Sequence, residues 1–325
     1  MRTATPDLVT NSYFPALAAE DLGLHREEGL EARTEPRITR CRMPIDYEKL
    51  MAMRIPSTEQ TYGERDTMLY GLAVGMGTDP LDRRELAFVL EGGLRVVPAM
   101  ATVLAWNDSW LYETGVDMVK QVHGEQRITL HARLPTAATV VGETRIVDVF
   151  DKGRGRGAIM IFETAIRDKQ TGTLLCSSQA TSFARADGGF GGPAGSGPRP
   201  HALPERAPDA VCDLPTRPDQ ALLYRLCGDR NPLHADPDYA AAAGFPRPIL
   251  HGLCTYGFAC RAILRAFCDY EPERLREQAV RFTGPVFPGE TLRTEMWRDD
   301  RVVSYRTRAV ERDVIALDHG RAVLA

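Results

Sequence analysis

A run of glycine and proline splits this 325-residue chain into two parts, and no other feature constrains its fold as strongly. The stretch DGGFGGPAGSGPRP, residues 187–200, contains six glycines and three prolines. Such a composition offers too few apolar side chains to build a core and is typical of a linker. We expect the linker to extend over residues 187–210, and the chain length agrees with two domains of about 150 residues each.

The part before the linker, residues 43–186, has helical patterns first and strand patterns after. Apolar spacing predicts one helix at residues 63–77 and a second, more apolar helix at residues 95–106. Four strand-like runs come next, separated by glycine-containing turns, at residues 125–134, 138–150, 157–168 and 172–185.

The part after the linker, residues 211–325, repeats this order. A short amphipathic helix is predicted at residues 219–229, and a long, nearly all-apolar helix at residues 253–270. Gly257 and Ala259 would allow that long helix to pack closely against a sheet. Strand-like runs come next at residues 277–286, 290–300, 301–311 and 313–325. Each half therefore predicts one buried helix wrapped by an antiparallel sheet, and the repeated order indicates an ancient duplication.

Residues 1–42 fit neither half. The stretch DLVTNSYFPALAAEDLGLHREEGLEARTEP resembles the opening strand and helix of periplasmic solute-binding proteins, but the likeness ends there. Met43 is a natural start for the first of the two halves. We expect residues 1–42 to be an appendage and not a working domain.

Composition argues against several functional classes. The chain has 40 basic and 44 acidic residues spread along its length, so its net charge of −4 does not favour nucleic-acid binding. A local cluster of Arg and Lys can still bind a phosphorylated ligand. Seven cysteines and seven histidines are scattered without zinc-ligand spacing, so we expect no metal site, reduced thiols and a cytoplasmic location. No apolar run reaches the length of a membrane span, and the N-terminus lacks a secretory-signal pattern.

Three polar side chains are concentrated in GDRNPLH, residues 228–234: Asp229, Asn231 and His234. Helix caps and turns explain such residues in many proteins. Here, however, Gly228 permits a sharp turn and Pro232 fixes one backbone angle, so the carboxylate and the imidazole can face a common point. A carboxylate and an imidazole that converge on one water can take a proton from it and deliver a proton elsewhere. Addition of water to a carbon–carbon double bond, or its removal, needs this equipment.

A second element of the site is predicted at PILHGLCTYG, residues 248–257. Gly252 stands at the start of the predicted long helix, where backbone N–H groups are free and the helix dipole is positive. Hydration of an α,β-unsaturated thioester develops negative charge on the thioester oxygen, which such N–H groups can stabilise. Simple helix entry explains the same glycine, and the two roles are compatible. We interpret the neighbouring His251 as structural.

The stretch YRLCGDRNPLHADPDYAAAAGFPRPILHGLCTYGFACRAIL resembles the signature of the type 2 enoyl-CoA hydratases of the MaoC-like dehydratase family. The resemblance continues over nearly the whole chain from Met43, including VHGEQRITLHARLP and VRFTGPVFPGETLRTEMW. Cys227 stands where the family usually has a serine, and the Asp-Asn-His trio is unchanged.

This resemblance implies an α+β double hot-dog fold, in which two long central helices are each wrapped by a curved antiparallel sheet. Residues 43–186 would form a non-catalytic half that binds the acyl chain, and residues 211–325 the catalytic half. Asp229 and His234 would hold the catalytic water, Asn231 would orient the turn or the water, and Gly252 would bind the thioester oxygen. Glu91, in FVLEGG, matches a family position linked with activity, although a surface-turn glutamate is an equally good interpretation.

The implied reaction is the reversible hydration of trans-2-enoyl-CoA to (3R)-3-hydroxyacyl-CoA, in fatty-acid or steroid side-chain metabolism. The resemblance further implies a homodimer without a cofactor, with CoA as part of the substrate and no membrane or nucleic-acid partner. The acyl group, and the assignment of acid and base between Asp229 and His234, stay open.

Two alternatives differ in function. A hot-dog dehydratase that acts on acyl-carrier-protein substrates fits the same sequence. A thioesterase is disfavoured because the predicted central helix carries no carboxylate before Asp269. A non-enzymatic binding module would agree with the solute-binding likeness of the N-terminus, but the second half of a binding lobe is missing from the sequence.

Overall fold

The computed structural model describes residues 45–325. The predictions for residues 1–42, and for Cys41, lie outside these residues. None of the helices within residues 45–325 is long and apolar enough to cross a membrane.

The described strands form one antiparallel sheet with the order β1-β3-β4-β5-β2-β7-β10-β9-β8-β6. Their bounds are β1 (Thr58–Tyr62), β2 (Gln121–Leu130), β3 (Ala138–Asp151), β4 (Ala158–Asp168), β5 (Leu174–Ala184), β6 (Ala210–Pro215), β7 (Leu275–Phe282), β8 (Thr291–Asp299), β9 (Val302–Ala309) and β10 (Val314–Leu324). The first half has the order 1-3-4-5-2 and the second has 6-8-9-10-7, which is the same order shifted by five. The predicted duplication is thus repeated in the strand topology.

The two half-sheets meet where β2 pairs with β7. The pairing runs antiparallel from Glu125 opposite Arg281 to Thr129 opposite Glu277. The Arg281 guanidinium also donates to Oε1 of Glu125, with its shorter hydrogen bond at 2.6 Å. The start of β2 therefore lies beside the end of β7, and both units share one continuous sheet.

The core of the molecule contains the long helix α6 (Gly252–Phe267), whose residues from Leu253 to Leu264 are buried. It corresponds to the long apolar helix predicted at residues 253–270. A Cβ atom added to Gly257 would lie 2.4 Å from Cγ1 of Val74, at the end of helix α2 (Glu64–Ala73). The small residue predicted to suit packing against a sheet thus allows close contact with a segment of the N-terminal half.

The fold class is as predicted, but the N-terminal half differs from the expectation of two long central helices. The described part of that half has no counterpart of α6. Where the second helix was predicted, at residues 95–106, only the short 3-10 helix Pro98–Thr102 forms, and all its residues are buried. Thr102 and Val103 are β-branched and disfavour helix, and Ala105 takes a φ of +48°, which ends the segment. An apolar run alone does not distinguish a helix from a buried irregular segment.

The remaining helices are short: α1 (Tyr47–Met51), α3 (Arg83–Leu86), α4 (Gln220–Tyr224) and α5 (Pro237–Ala242). The helices predicted at residues 63–77 and 219–229 correspond to α2 and to α4 with its 3-10 extension, Arg225–Cys227. Strands β1 and β6 were not predicted. They are the two edge strands of the sheet, and short edge strands with polar residues or proline give little sequence signal.

The glycine-rich segment after β5 is fastened to the N-terminal half by Asp151. Backbone N–H groups of Gly153, Gly189 and Gly191 donate to the Asp151 carboxylate at 2.7, 2.7 and 2.8 Å. The N–H of Asp151 donates to the carbonyl of Pro193 at 2.8 Å. Gly189 and Gly191 have φ angles of +93° and +83°, which only glycine adopts readily. The segment predicted as a linker is therefore an ordered part of the fold.

A buried ion pair joins the two halves. Arg261 of α6 donates to both oxygens of Glu85 in α3, at 2.9 and 2.8 Å, and the Tyr270 hydroxyl donates to the same carboxylate at 2.9 Å. The two charged side chains are only 5% and 3% exposed. Each charge therefore depends on the other for its solvation.

We predict that Glu85→Leu or Arg261→Met alone lowers the free energy of unfolding by about 3–5 kcal/mol, because each leaves a buried charge without its partner. The double variant Glu85→Leu/Arg261→Met should lose much less. Urea unfolding followed by circular dichroism measures both. The exposed pair Lys169–Glu59 provides the control, and Glu59→Gln should change stability little. Additive losses in the double variant would contradict the coupling.

Candidate active site

The GDRNPLH turn is built by its own backbone constraints. Gly228 has a φ of +141°, and a Cβ there would meet no atom within 4 Å, so conformation and not space requires the glycine. Asp229 Oδ1 accepts the N–H of Asn231 at 3.1 Å, and Asn231 Oδ1 accepts the N–H of Leu233 at 3.0 Å. These bonds are the capping role expected of such residues, and they also fix where the remaining polar atoms point.

The turn brings together the predicted residues Asp229, Asn231 and His234 in the interior. All three are buried, as is His251 at the start of α6. A carboxylate oxygen of Asp229 and a ring nitrogen of each histidine lie within 4.8 Å of one another. One amide nitrogen, Nδ2 of Asn231, is buried and has no hydrogen-bond partner among residues 45–325. It can donate to a small polar group held between the side chains.

The tautomer of His234 is set by its partner. Nδ1 lies 2.8 Å from the carbonyl oxygen of Ile249, which can only accept, so Nδ1 carries the hydrogen. Nε2 then bears the lone pair, and no described residue bonds to it. His234 is thus arranged to accept a proton at Nε2.

His251 lies against this turn. Its Nε2 is 3.1 Å from the carbonyl oxygen of Asp229, and its ring stacks on that of His234, with 3.7 Å between ring centroids and 28° between planes. The Tyr224 ring lies on it as well, with centroids 4.9 Å apart.

Burial sets the protonation states of the acid and the imidazole. Loss of solvent raises the pKa of Asp229 to about 8, an effect that the nearby Asp108 reinforces while the Asn231 N–H and Arg225 oppose it. Loss of solvent lowers the pKa of His234 to about 4. Between these values the pair holds one proton, and that proton resides on Asp229.

These side chains are also the types that bind metals, but their geometry does not suit an ion. Lone pairs of an imidazole lie in the ring plane, so two stacked rings direct them side by side and not toward one point. The arrangement suits a water molecule better than a metal ion.

Gly252 is the first residue of α6, where the backbone N–H has no acceptor within the helix. A Cβ on this residue would lie 3.2 Å from the ring of Phe282, so a side chain would press on that ring. The glycine therefore leaves the helix N-terminus accessible beside Phe282.

A cavity of about 870 Å³ opens beside the turn. His234 and Gly252 both line it, and the apolar part of its wall includes Leu233, Phe245 and Phe282. Residues of both halves contribute, because the start of β2 and the end of β7 meet here. The segment at residues 196–198 completes part of the wall.

Several lining residues were missed by the sequence interpretation. Lys120, Lys152 and Arg185 line the cavity, and none of them has an ion-pair partner in the described part of the chain. His123 lines it too, with its ring edge-on to Phe282 at 4.9 Å between centroids, and burial lowers the pKa of His123 to about 4. These positions lie just before β2, within β2, just after β3 and just after β5, so no local motif marks them.

Glu91 lies apart from this cluster. It is exposed in a turn after α3 and does not line the cavity. The buried acid of this region is Glu85, which serves the ion pair with Arg261. An accessory role for Glu91 stays a prediction.

Comparison with known families matches both halves of the chain. Residues 200–319 match the family described as MaoC like domain, and residues 60–186 match the MFE-2 hydratase 2 N-terminal domain.

Similar curated proteins carry hydratase names. The chain is 41% identical to a Mycobacterium tuberculosis protein named enoyl-CoA hydratase ChsH3, over 83% of this chain and 96% of that protein. It is 39% identical to an Arabidopsis thaliana protein named enoyl-CoA hydratase 2, peroxisomal, over 82% of this chain and 92% of that protein.

Similar solved structures agree with the fold. A MaoC-like dehydratase from Phytophthora capsici matches with a TM-score of 0.76 and 31% identity, covering 86% of this chain and 98% of that one. A Mycobacterium tuberculosis protein described as having a double hot-dog fold matches with a TM-score of 0.52 and 18% identity, over 86% of this chain and 98% of that one. The second likeness concerns the fold alone.

We predict that Asp229→Asn stabilises the protein relative to the wild type, increasingly so as pH rises from 5 to 8. Over this range the unfolded chain has released the proton of Asp229, whereas the folded protein retains it, so wild-type stability falls with rising pH. The slope is at most about 1.4 kcal/mol per pH unit. Urea unfolding of both proteins at several pH values measures the difference.

The exposed Asp238 provides a matched control, and Asp238→Asn should show no comparable trend. The His234 contribution, which is lost as pH falls from 6.5 toward 4, is present in both proteins and cancels. A pH-independent difference for Asp229→Asn would refute the raised pKa.

Proposed function

Because this chain belongs to the MaoC-like family of type 2 enoyl-CoA hydratases, we propose that it adds water reversibly to a trans-2-enoyl-CoA, giving the (3R)-3-hydroxyacyl-CoA. One observation carries the proposal for its site. The buried Asp229, Asn231 and His234 lie together beside a large cavity that the free N-terminus of α6 also reaches.

His234 is the base for hydration in this proposal. Its Nε2 has the lone pair and no hydrogen-bond partner among the described residues, His234 lines the cavity, and Ile249 holds the ring in that tautomer. A water held between His234, Asp229 and the free Nδ2 of Asn231 would lose a proton to Nε2 as it attacks.

Asp229 is the acid. Burial keeps its carboxyl group protonated near neutral pH, so it can give a proton to the substrate. The water oxygen bonds to C3, the electron pair of the double bond moves toward the thioester, and C2 takes the proton of Asp229. The proton on His234 then returns to Asp229, which restores the starting protonation states of both residues.

Gly252 supports the charge that develops on the thioester oxygen. A helix N-terminus offers unpaired N–H groups and the positive end of the dipole, and both act only when that charge forms. A larger residue would displace Phe282 and block the approach.

The cavity fits a CoA thioester. Lys120, Lys152 and Arg185 can attract phosphate groups, and the apolar wall can receive an acyl chain. An acyl-carrier-protein thioester is the second candidate, since its acyl group and thioester are the same as those of an enoyl-CoA. Such a substrate brings a single phosphate to the pocket, so three unpaired cations favour CoA.

No metal or redox group has a place in the proposed step. The bonds that form and break involve only water, the substrate and the two proton-carrying side chains.

We also propose a homodimer. Leu72, Leu222 and Leu226 are 44%, 51% and 54% exposed, and the Gln220 side chain donates to the Leu72 carbonyl, which brings α2 and α4 together. Exposed apolar side chains grouped in this way favour association. Light scattering of the purified protein gives its mass in solution.

A cytoplasmic location is supported by the thiols. The cysteines of the described chain are free, as is usual in a reducing compartment. The name of the Arabidopsis relative places that protein in peroxisomes, and fluorescence microscopy of a tagged copy in the source cells distinguishes the two.

We predict that the purified protein hydrates a short and a long trans-2-enoyl-CoA to the (3R) product, resolved by chiral chromatography. Asp229→Asn and His234→Ala should each reduce kcat by about 10²–10⁴-fold while the protein stays folded, because each removes one proton carrier. Near-normal turnover by either folded variant would refute the assignment. Absence of wild-type turnover with both substrates would count against the reaction itself.

Lys152→Met should raise KM for an enoyl-CoA by about tenfold, equivalent to about 1.4 kcal/mol, and leave kcat nearly unchanged. The same variant should change KM little for the matching enoyl-pantetheine, which lacks the phosphates. Lys49→Met, an exposed lysine on α1, is the matched control. An equal effect on both substrates would show that Lys152 does not serve the phosphates.

A further inference from the structure

We propose that His251 is a positioning residue for the hydration reaction. It fixes the positions of the Asp229 turn and the His234 ring relative to the start of α6. The proposal rests on the proposed function of the site. It assigns to His251 a role beyond that of a buried helix-entry residue.

One ring contacts each part of the machinery. Nε2 of His251 donates to the carbonyl of Asp229 at 3.1 Å, because a carbonyl can only accept. The face of the ring stacks on His234 at 3.7 Å between centroids. His251 also directly precedes Gly252, whose N–H begins α6. A shift of this ring would therefore move the acid, the base and the thioester site together.

The ring has little freedom to move. His251 is 1% exposed, and its ring lies against those of His234 and Tyr224, at 3.7 and 4.9 Å between centroids. Rotation about its side chain would break both ring contacts and the bond to Asp229. Such locking of a neighbouring side chain is how catalytic groups are held within a fraction of an ångström.

His251 also affects the electrostatics of the base. Burial, and then the neighbouring His234, lower the pKa of His251 well below its usual value, so the ring stays neutral. A neutral apolar face against His234 excludes water from that side. Arg225 on the preceding turn also acts on the pKa of His234, and Asp108 and Arg225 act on that of the neighbouring Asp229.

The contacts define a set of variants that separates the two interactions. His251→Phe keeps an aromatic face against His234 and loses the donor to Asp229. His251→Gln keeps an N–H near the Nε2 position and loses the aromatic face. His251→Ala loses both. His131→Gln, at an exposed histidine on the N-terminal half, is the control and should behave as wild type.

We expect kcat to fall by roughly 10²-fold for His251→Ala, the size associated with misplacement by about 1 Å, and by less for His251→Gln and His251→Phe. KM should be nearly unchanged in all three variants. The loss of kcat at acid pH should have nearly the wild-type midpoint in His251→Phe. In His251→Ala this midpoint should move toward pH 6.5, since the His234 ring becomes accessible to water. A general packing defect would lower the amount of folded protein without moving that midpoint.

A second measurement does not depend on catalysis. Nuclear magnetic resonance titration of ¹⁵N-labelled histidines reports the pKa of His234 in each folded variant. A higher His234 pKa in the His251→Ala variant than in the His251→Phe variant supports the proposal even if the substrate is not an enoyl-CoA. If His251→Ala changes neither the pKa of His234 nor kcat, the proposal is wrong. The proposal is also wrong if His251→Gln and His251→Phe both lose as much activity as Asp229→Asn. That result would show that His251 itself carries a proton in the reaction. If the His251→Ala variant does not fold, the proposal is tested by comparing the His234 pKa and kcat of His251→Gln and His251→Phe with those of the wild type.

Discussion

The pairing of β2 with β7 is the contact on which the site depends. It joins two half-sheets of identical strand order and brings the start of one central strand beside the end of the other. The cavity lies at that junction, so its wall draws on residues 120–125 of one half and residues 281–285 of the other. The Glu125–Arg281 pair restrains this junction, and the Glu85–Arg261 pair joins the two halves at a separate point, between α3 and α6. The catalytic turn, by contrast, comes entirely from the second half.

The site places an acid and an imidazole where water cannot solvate their charged forms. In water a carboxyl group would lose its proton long before an imidazole does, but here burial inverts that order. The inversion gives an uncharged acid and an uncharged base together, which suits transfer of one proton in and one out. The same burial lowers the free energy of unfolding, because the ionisable groups lose their hydration when the protein folds.

Much of this could be predicted from the sequence, for identifiable reasons. The strands β2–β5 and β7–β10 were found because alternation and turn residues are local signals, and α6 because sixteen residues of helix leave a long apolar pattern. The helix at residues 95–106 was mispredicted because burial makes an irregular segment as apolar as a helix. Asp229, Asn231 and His234 are close in sequence, so their proximity was predictable. Lys152 and the segment at residues 196–198 join the site only through tertiary structure, which no local pattern encodes, and the contacts of the His251 ring with His234 and Tyr224 are likewise set by the fold.

The shared strand order has a consequence for how such a site can change. In an assembly of two identical hot-dog chains, every substitution occurs twice, once in each unit. Here the two units are covalently joined and differ in sequence, so a residue in one can change while its counterpart does not. The described part of the first half has no long helix, whereas the second half has α6 and the turn that carries Asp229, Asn231 and His234. In a fused chain, the sequence of the half without that turn can therefore change without altering the turn.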